Sequence, residues 1–288
     1  MNVLILGGTG MLGHAMFRLL SQAPDLQTWA TVRSGAARRH FAPALSERLI
    51  SGVDVENTDT LSQLFARVRP DVVINCIGLI KQLSAANDPL AALPINALLP
   101  HRLARLCDVA KARLIHVSTD CVFSGQRGGY VEADTADATD LYGRSKHLGE
   151  VYYPHTITLR TSIIGEELEG GANGLVGWFL AQSGSVKGFT RAVFSGLPTV
   201  ELARVVRDHV LPRPDLHGLY HVATRAIAKA DLLALVAQAY DRQIEIFPDA
   251  SLVIDRSLDA SKFHADTGYV APEWPALIAG MRLFHSQS

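Results

Sequence analysis

Cysteine is scarce in this chain: three in 288 residues, Cys76, Cys107 and Cys121, far apart and with no CxxC pair. So sparse and odd a set excludes a disulfide framework and fits a reducing compartment. Charge of one sign is lacking as well, because 27 Lys and Arg stand against 28 Asp and Glu. A net charge of −1 provides no general field that would draw the molecule to nucleic acid or an anionic membrane, and neither is expected as a partner. Long hydrophobic runs are missing. The opening MNVLILGGTG has no basic leader and only a short apolar run, which suits neither a signal core nor a membrane span, so a cytoplasmic location is expected. The eleven histidines contain no HExxH. His217 and His221 fall on a segment that reads as a strand, where four residues span roughly 13 Å, too far to share one metal, and no metal site is expected. Repeats, low-complexity tracts and charged tails are also absent.

What is present is a globular enzyme's balance, 48% apolar and 19% charged residues, in a length that suits one large domain or a domain with an appendage. Apolar runs rich in Val and Ile alternate with helical-period segments. Strands are expected at Val3–Leu6, Gln27–Arg33, Leu49–Val55, Asp71–Ile77, Arg113–Ser118 and Thr156–Ser162, with helices at Met11–Gln22, Thr58–Arg69, Leu93–Ala110 and Thr139–Tyr153. Strands without polar alternation are covered on both faces, as in a parallel sheet. Strand–helix alternation with short links implies right-handed crossovers and a doubly wound α/β fold. After Gly165 the pattern changes to a Glu- and Gly-rich loop over Glu166–Asn173, a helix near 174–182, a strand near Val186–Phe189, a helix over Pro198–His209 and a strand over Gly218–Ala223. A helix at 228–240, a strand or two and two short helices complete the chain. The main domain is therefore expected at 1–164, with 199–223 returning to it, and a small lobe at 165–198 and 224–288.

The first strand runs into Gly7-Gly8-Thr9-Gly10-Met11-Leu12-Gly13. Gly7 permits a tight turn, Gly10 lets backbone approach a pyrophosphate, and Gly13 lets the helix sit close to the sheet. The helix N-terminus then offers free N–H groups and a positive dipole end to phosphates. No Asp or Glu occurs between Asp25 and Glu47, so the acid that would take ribose hydroxyls is missing from the end of strand two. Arg33 stands there instead, followed by Ser34, Arg38 and Arg39. A guanidinium suits a 2′-phosphate and favours NADP(H) over NAD(H), with a solvated basic loop as the bland alternative. Asp54 is a candidate to accept from adenine, or a solvated turn residue.

Strand five ends in Ser118-Thr119-Asp120, and Tyr142 and Lys146 lie four apart on a predicted helix, sharing a face. Ketone reduction needs hydride on carbon and a proton on oxygen. A free Tyr, pKa about 10, is a reluctant acid–base at neutral pH; a nearby ammonium lowers its pKa, and a threonine hydroxyl orients the substrate oxygen.

These motifs, with INCIG, HVSTDCVFSG, YVEAD, LYGRSKHLGE, LRTSIIG, SGLPTVELA, GLYHVA and RSLDASKF, run from residue 4 to about 263. The chain resembles an extended short-chain dehydrogenase/reductase, and more narrowly the dTDP-4-dehydrorhamnose reductase family. The resemblance implies a Rossmann-type sheet with a small C-terminal α+β substrate lobe, NADP as cofactor with NAD as the other choice, a nucleotide-linked sugar as substrate, and a homodimer. It implies Thr119, Tyr142 and Lys146 as catalytic residues. It places Gly7, Thr9, Gly10, Met11, Leu12, Gly13, Arg33, Asp54, Val55, Cys76, Ile77, Gly78 and Asn96 at the cofactor, and Lys81, Thr119, Cys121, Val122, Phe123 and Arg191 at the substrate. The sequence departs from the family at Asn75-Cys76-Ile77-Gly78, at Leu79–Leu83 with Lys81 and Gln82, and at Gly165-Glu166-Glu167-Leu168-Glu169, which puts the sugar and the base in doubt.

Other residues carry two readings. Gly128-Gly129 is a mobile rim or a surface turn. Arg160 reads as a structural ion-pair residue with Glu150 as partner. Arg191 is a candidate for the substrate diphosphate, with Lys187 and Arg256 behind it, and a solvated charge competes at each. Trp178, Phe179 and Phe189 read as core. The expected function is reduction of the 4-keto group of a nucleotide-linked deoxysugar in polysaccharide synthesis. An epimerase of the same fold and a non-catalytic NADP-binding regulatory subunit are the alternatives.

Overall fold

The computed structural model describes residues 1–81, 84–168 and 174–287. Seven parallel strands form the central sheet: β1 (Asn2–Leu6), β2 (Gln27–Val32), β3 (Leu49–Ser51), β4 (Val72–Asn75), β5 (Arg113–Thr119), β6 (Thr156–Thr161) and the returning strand Gly218–His221. Their order is β3-β2-β1-β4-β5-β6-(218–221), a Rossmann-type doubly wound sheet. The order reverses between β1 and β4, where open α/β sheets hold ligands beyond the strand C-termini.

Strand alternation explains how both faces are filled. Val3 and Ile5, with Ile74 and Ile115, join one buried cluster with Met16 and Phe17 of α1 (Met11–Leu20) and with Val205 and Met281. Leu4 and Leu6, with Val73 and Leu114, point the other way onto Leu61, Leu64 and Phe65 of helix Thr58–Val68 and onto Leu103. Successive side chains leave opposite faces of a strand, so an unbroken apolar run requires helices on both sides.

The helix after β3 starts at Asn57, whose Oδ1 accepts from the Asp59 and Thr60 N–H groups, and ends at left-handed Arg69 just before Pro70. Other boundaries differ from the sequence expectation for local reasons. The Thr139–Tyr153 helix is shorter, Leu141–Leu148, capped by Asp140 and closed at Gly149. Leu93–Leu98 is π-helical and only Leu99–Ala110 is α-helical. The third strand stops at Ser51, because Gly52 turns the chain with φ +77°. The strand Ala192–Phe194 and the full length of the last helix, Trp274–Ser286, escape periodicity.

In the second half, Ser185–Phe189 pairs with Glu245–Asp249, and Ala192–Phe194 lies between Ile227–Ala228 and Ile254–Asp255. Val176, Phe179, Val186 and Phe194 belong to the same buried cluster as Phe17, so this half packs continuously onto one face of the main sheet. Helix Thr199–Val205 lies against α1, and the segment that follows it leads to the strand paired with β6. Gln82 and Glu169, singled out in the sequence, lie outside the described residues.

Candidate active site

The glycine loop joins β1 to α1 under two steric constraints. Gly7 has φ +89°, a conformation open to glycine and costly for other residues. A Cβ on Gly13 would stand 2.0 Å from the Gly7 carbonyl oxygen. At Gly10, by contrast, a Cβ would meet nothing closer than 3.4 Å, so space is open on the outer side of the loop. Gly10 is the N-cap with no side-chain cap, and the N–H groups of Met11, Leu12 and Gly13 have no intrahelical partner. Replacing Gly13 by Ala is expected to push α1 off the loop. Fluorescence titration should then show NADPH affinity falling tenfold or more, a loss of about 1.4 kcal/mol, together with a lower Tm. An unchanged Kd would disprove the close-approach role.

Beyond β2, the cationic loop divides its labour. Arg38 donates to the carbonyls of Ser46 and Leu49, the latter at 2.7 Å, and braces the backbone. Arg39 contacts His40 at 2.9 Å. Arg33 is exposed and makes no hydrogen bond or ion pair among the described residues. Asp54 is exposed and its Oδ1 accepts from Glu56 N–H at 3.0 Å, the turn role, while Val55 packs on the helix-58–68 side of the sheet.

At the end of β4, Asn75 is fully buried. Its Oδ1 accepts from Ile77 N–H at 3.1 Å and its amide contacts His116 Nδ1 at 3.2 Å. This shapes the Cys76-Ile77-Gly78 turn beside Gly7, where Ile77 Cγ1 lies 3.0 Å from the position of a Gly7 Cβ. Burial pushes the Cys76 thiol up to about 12, so it is a neutral wall rather than a nucleophile. Asn96 is buried in the π-helical segment. Its Oδ1 accepts from Leu79 N–H at 2.9 Å, and its Nδ2 donates to the Leu79 carbonyl at 3.1 Å and to Ser145 Oγ at 3.2 Å. Ser145 in turn donates to the Tyr142 carbonyl at 2.9 Å. One amide thus ties the segment after β4 to the helix that carries Tyr142 and Lys146.

Thr119 is the last residue of β5. Its hydroxyl accepts from Cys121 N–H at 3.1 Å and donates to Asp120 Oδ1 at 3.1 Å, and the Tyr142 phenol hydrogen-bonds to the same oxygen. Lys146 is buried and its Nζ donates to the Val117 carbonyl at 2.9 Å. That ammonium is 3.9 Å from where a Gly78 Cβ would stand, so it lies at the ends of both β4 and β5. The phenol, the ammonium and the threonine hydroxyl therefore converge on the ligand edge of the sheet, next to the switch point. Burial lowers Lys146 to about 8, opposed by Glu150 and Cys76. The Tyr142 phenol is pushed up, first by burial and then by Cys121, with Asp120 and Asp140 adding to it. The lowering expected from the neighbouring lysine is absent in this arrangement, because the ammonium is spent on the Val117 carbonyl and burial dominates.

Residues assigned to the substrate from the sequence fall into different places. Lys81 is held by Asp140 Oδ2 at 2.8 Å, and Asp140 Oδ1 caps the Tyr142 helix through Gly143 N–H at 2.8 Å. Cys121 is half-buried beside the phenol, its thiol raised to about 12 by burial. Val122 and Phe123 correct the expectation, since both are fully buried. Phe123 stacks on Tyr130 at 4.1 Å between ring centroids and lies under the Arg160 guanidinium, so its side chain faces the core. Arg191 is exposed on the strand edge and Lys187 pairs with Asp249 at 3.2 Å. Phe179 is core, Phe189 is half-buried and Trp178 is partly exposed.

Two features were missed in the sequence. Asp120 is buried against Thr119, and Arg256, from the far end of the chain, donates to the Phe123 carbonyl at 2.7 Å and acts electrostatically on Asp120 together with Lys229. The acid's place directly after the threonine was the available signal. Arg160 and Glu150 form the buried pair, with contacts of 2.6 Å at both Nε and Nη2. Among the described residues no group of three or more His, Cys, Asp or Glu could hold a metal, and no described helix is long and apolar enough to cross a membrane.

Comparisons with known proteins agree with this architecture. A probable low-salt glycan biosynthesis reductase of Haloferax volcanii is 29% identical over 237 residues, 78% of this chain and 75% of that protein. The crystal structure of a dTDP-4-dehydrorhamnose reductase from Clostridium acetobutylicum superposes with a TM-score of 0.82 at 21% identity, covering 99% of this chain and 100% of the other. A dTDP-4-dehydrorhamnose reductase from Bacillus anthracis, solved in complex with NADP, gives 0.79 at 19% identity over 98% and 99% of the two chains. The family model of the RmlD substrate binding domain matches residues 1–251. With its glycine loop at the switch point and its Thr, Tyr and Lys at the strand ends, the chain belongs to that family, the dTDP-4-dehydrorhamnose reductase-like branch of the extended short-chain dehydrogenase/reductases.

Proposed function

We propose that the protein is an NADPH-dependent reductase of a keto group, C4 by family analogy, on a nucleotide-linked deoxysugar. The observation that carries this reading is the convergence of Thr119, Tyr142 and Lys146 on the β4–β5 edge beside the glycine loop. The residues fit the cofactor. Gly7, Thr9, Gly10, Met11, Leu12 and Gly13 offer an open, N–H-rich cradle for a pyrophosphate, Arg33 a free guanidinium for a 2′-phosphate, Asp54 and Val55 an adenine edge, and Cys76, Ile77, Gly78 and Asn96 the nicotinamide wall. When bound, NADPH supplies the hydride for the keto carbon. Tyr142, neutral because burial holds its proton, is the donor to the keto oxygen. Thr119 orients that oxygen. Lys146 keeps a positive charge beside the developing phenolate, with the sign that stabilises it. Residues 1–164 with 199–223 form the dinucleotide half, while 165–198 and 224–288 take the sugar nucleotide, with Lys81, Cys121 and Arg191 at its rim.

The direct test is NADPH oxidation against 4-keto sugars carried on dTDP, UDP and GDP. Stoichiometric oxidation with one of them is expected, and no turnover with any would end the reading. Arg33→Ala checks the cofactor choice. Charge-assisted hydrogen bonds contribute about 1.5–3 kcal/mol, so KM for NADPH should rise roughly ten- to hundredfold while KM for NADH stays put. Equal effects on both cofactors would assign Arg33 to the solvated loop.

A further inference from the structure

Asp120 sits where a carboxyl is costly. It is 8% exposed, directly behind Thr119, and its carboxyl is raised above the usual range by burial, against the pull of Arg256, the Thr119 and Cys121 hydrogen bonds, and Lys229. The groups facing it are the Thr119 hydroxyl, the Cys121 thiol, the Tyr142 phenol, the Arg256 guanidinium and the Lys229 ammonium. Asp137 and Asp140 share the field of Arg256.

The hydrogen-bond count at Thr119 Oγ1 is the key. A hydroxyl has one proton and two lone pairs. With Asp120 ionised, the proton goes to Asp120 Oδ1, one lone pair receives Cys121 N–H, and the other receives the Tyr142 O–H. In that state Thr119 is saturated, and neither hydroxyl proton is free for a substrate oxygen. We propose that Asp120 is a positioning residue whose protonated carboxyl turns the Thr119 and Tyr142 hydroxyls onto the keto oxygen. One proton taken from solvent makes Asp120 a donor to Thr119 Oγ1. The two lone pairs are then filled by Asp120 O–H and Cys121 N–H. Tyr142 loses its acceptor, the Thr119 proton is released, and both hydroxyls point into the cleft. Asp120 gives nothing to the product: the proton that ends on the substrate oxygen is the one from Tyr142.

This rests on the reductase reading, so the test has two arms. In the first, kcat is followed against pH. The wild type should lose kcat in two steps as pH rises, first as Asp120 ionises and then as Lys146 loses its proton near 8. Asp120→Asn, whose amide N–H donates at every pH, should lack the first step and keep the second. Asp120→Ala should fall tenfold or more below Asp120→Asn throughout. Asp120→Asn as poor as Asp120→Ala, or with both steps intact, would overturn the proposal. The second arm needs no turnover. Infrared difference spectra of wild type minus Asp120→Asn should show a protonated carboxyl band that disappears as pH rises. A carboxylate at every pH where the protein is folded would overturn the proposal even if no sugar is reduced, whereas a titrating band without NADPH oxidation would sink only the reductase reading.

Discussion

Replacing Tyr142 by Phe is expected to lower kcat by about two to four powers of ten, the usual contribution of a positioned proton donor, with little change in NADPH affinity. The substitution removes one oxygen and nothing that packs. Its effect should therefore fall on the step in which the keto oxygen takes a proton, and a loss shared by kcat and kcat/KM identifies an interaction made in the transition state. The same chemistry sets the alkaline limit of the wild type. Lys146 is lowered to about 8 by burial, so it is charged below that pH and neutral above it. The field that stabilises a phenolate disappears as pH rises, and kcat should decline there. A Tyr142→Phe enzyme that still oxidises NADPH at the wild-type rate would remove Tyr142 from the chemistry and leave a dinucleotide-binding fold.

The second large effect is on stability. Glu150 accepts from Ser118 Oγ at 2.8 Å, Tyr152 O–H at 3.0 Å and both arms of Arg160, and contacts His147 at 3.1 Å. Arg160 continues to His221, which reaches the Tyr130 carbonyl at 3.0 Å. One carboxylate thus joins the Tyr142 helix to β5, β6, the returning strand and the loop after β5. Burial alone would raise it, but Arg160, His147 and Ser118 outweigh that and hold it at about 2. Glu150→Gln leaves a guanidinium buried without its counter-charge, which costs about 3–5 kcal/mol. In a chain of this size that lowers Tm by on the order of 10 °C. The sign with pH follows from the lowered value: the stabilisation is complete above the unfolded carboxyl's pKa and fades as pH falls from there towards 2. Thermal unfolding of the variant should lack that acid dependence. A Tm within a degree or two of wild type would show that Arg160 finds another partner.

Much of this was legible without coordinates because it is local. The four apolar residues of β1 cannot be half exposed, so a two-sided sheet follows from them. Gly7 and Gly13 answer backbone constraints within one turn. Tyr142 and Lys146 share a face because of helical periodicity alone. The errors came where distant segments meet. Phe123 follows the site strand directly, yet Tyr130, Arg160 and the returning strand enclose its ring. Lys81 looked like a free cation until Asp140, the cap of another helix, stood beside it. The phenol's lowering by Lys146 was argued from sequence proximity, but the Val117 carbonyl and burial decide it.

The order of apolar and glycine residues by itself determined the sheet, its crossovers and the phosphate-facing turn, since each depends on periodicity or backbone freedom over a few residues. Only the tertiary structure decided which polar groups lose water and which charges approach them. Arg256 meets Asp120, and Arg160 meets Glu150, across separations that no short-range pattern encodes, and the protonation states of the site depend on those meetings.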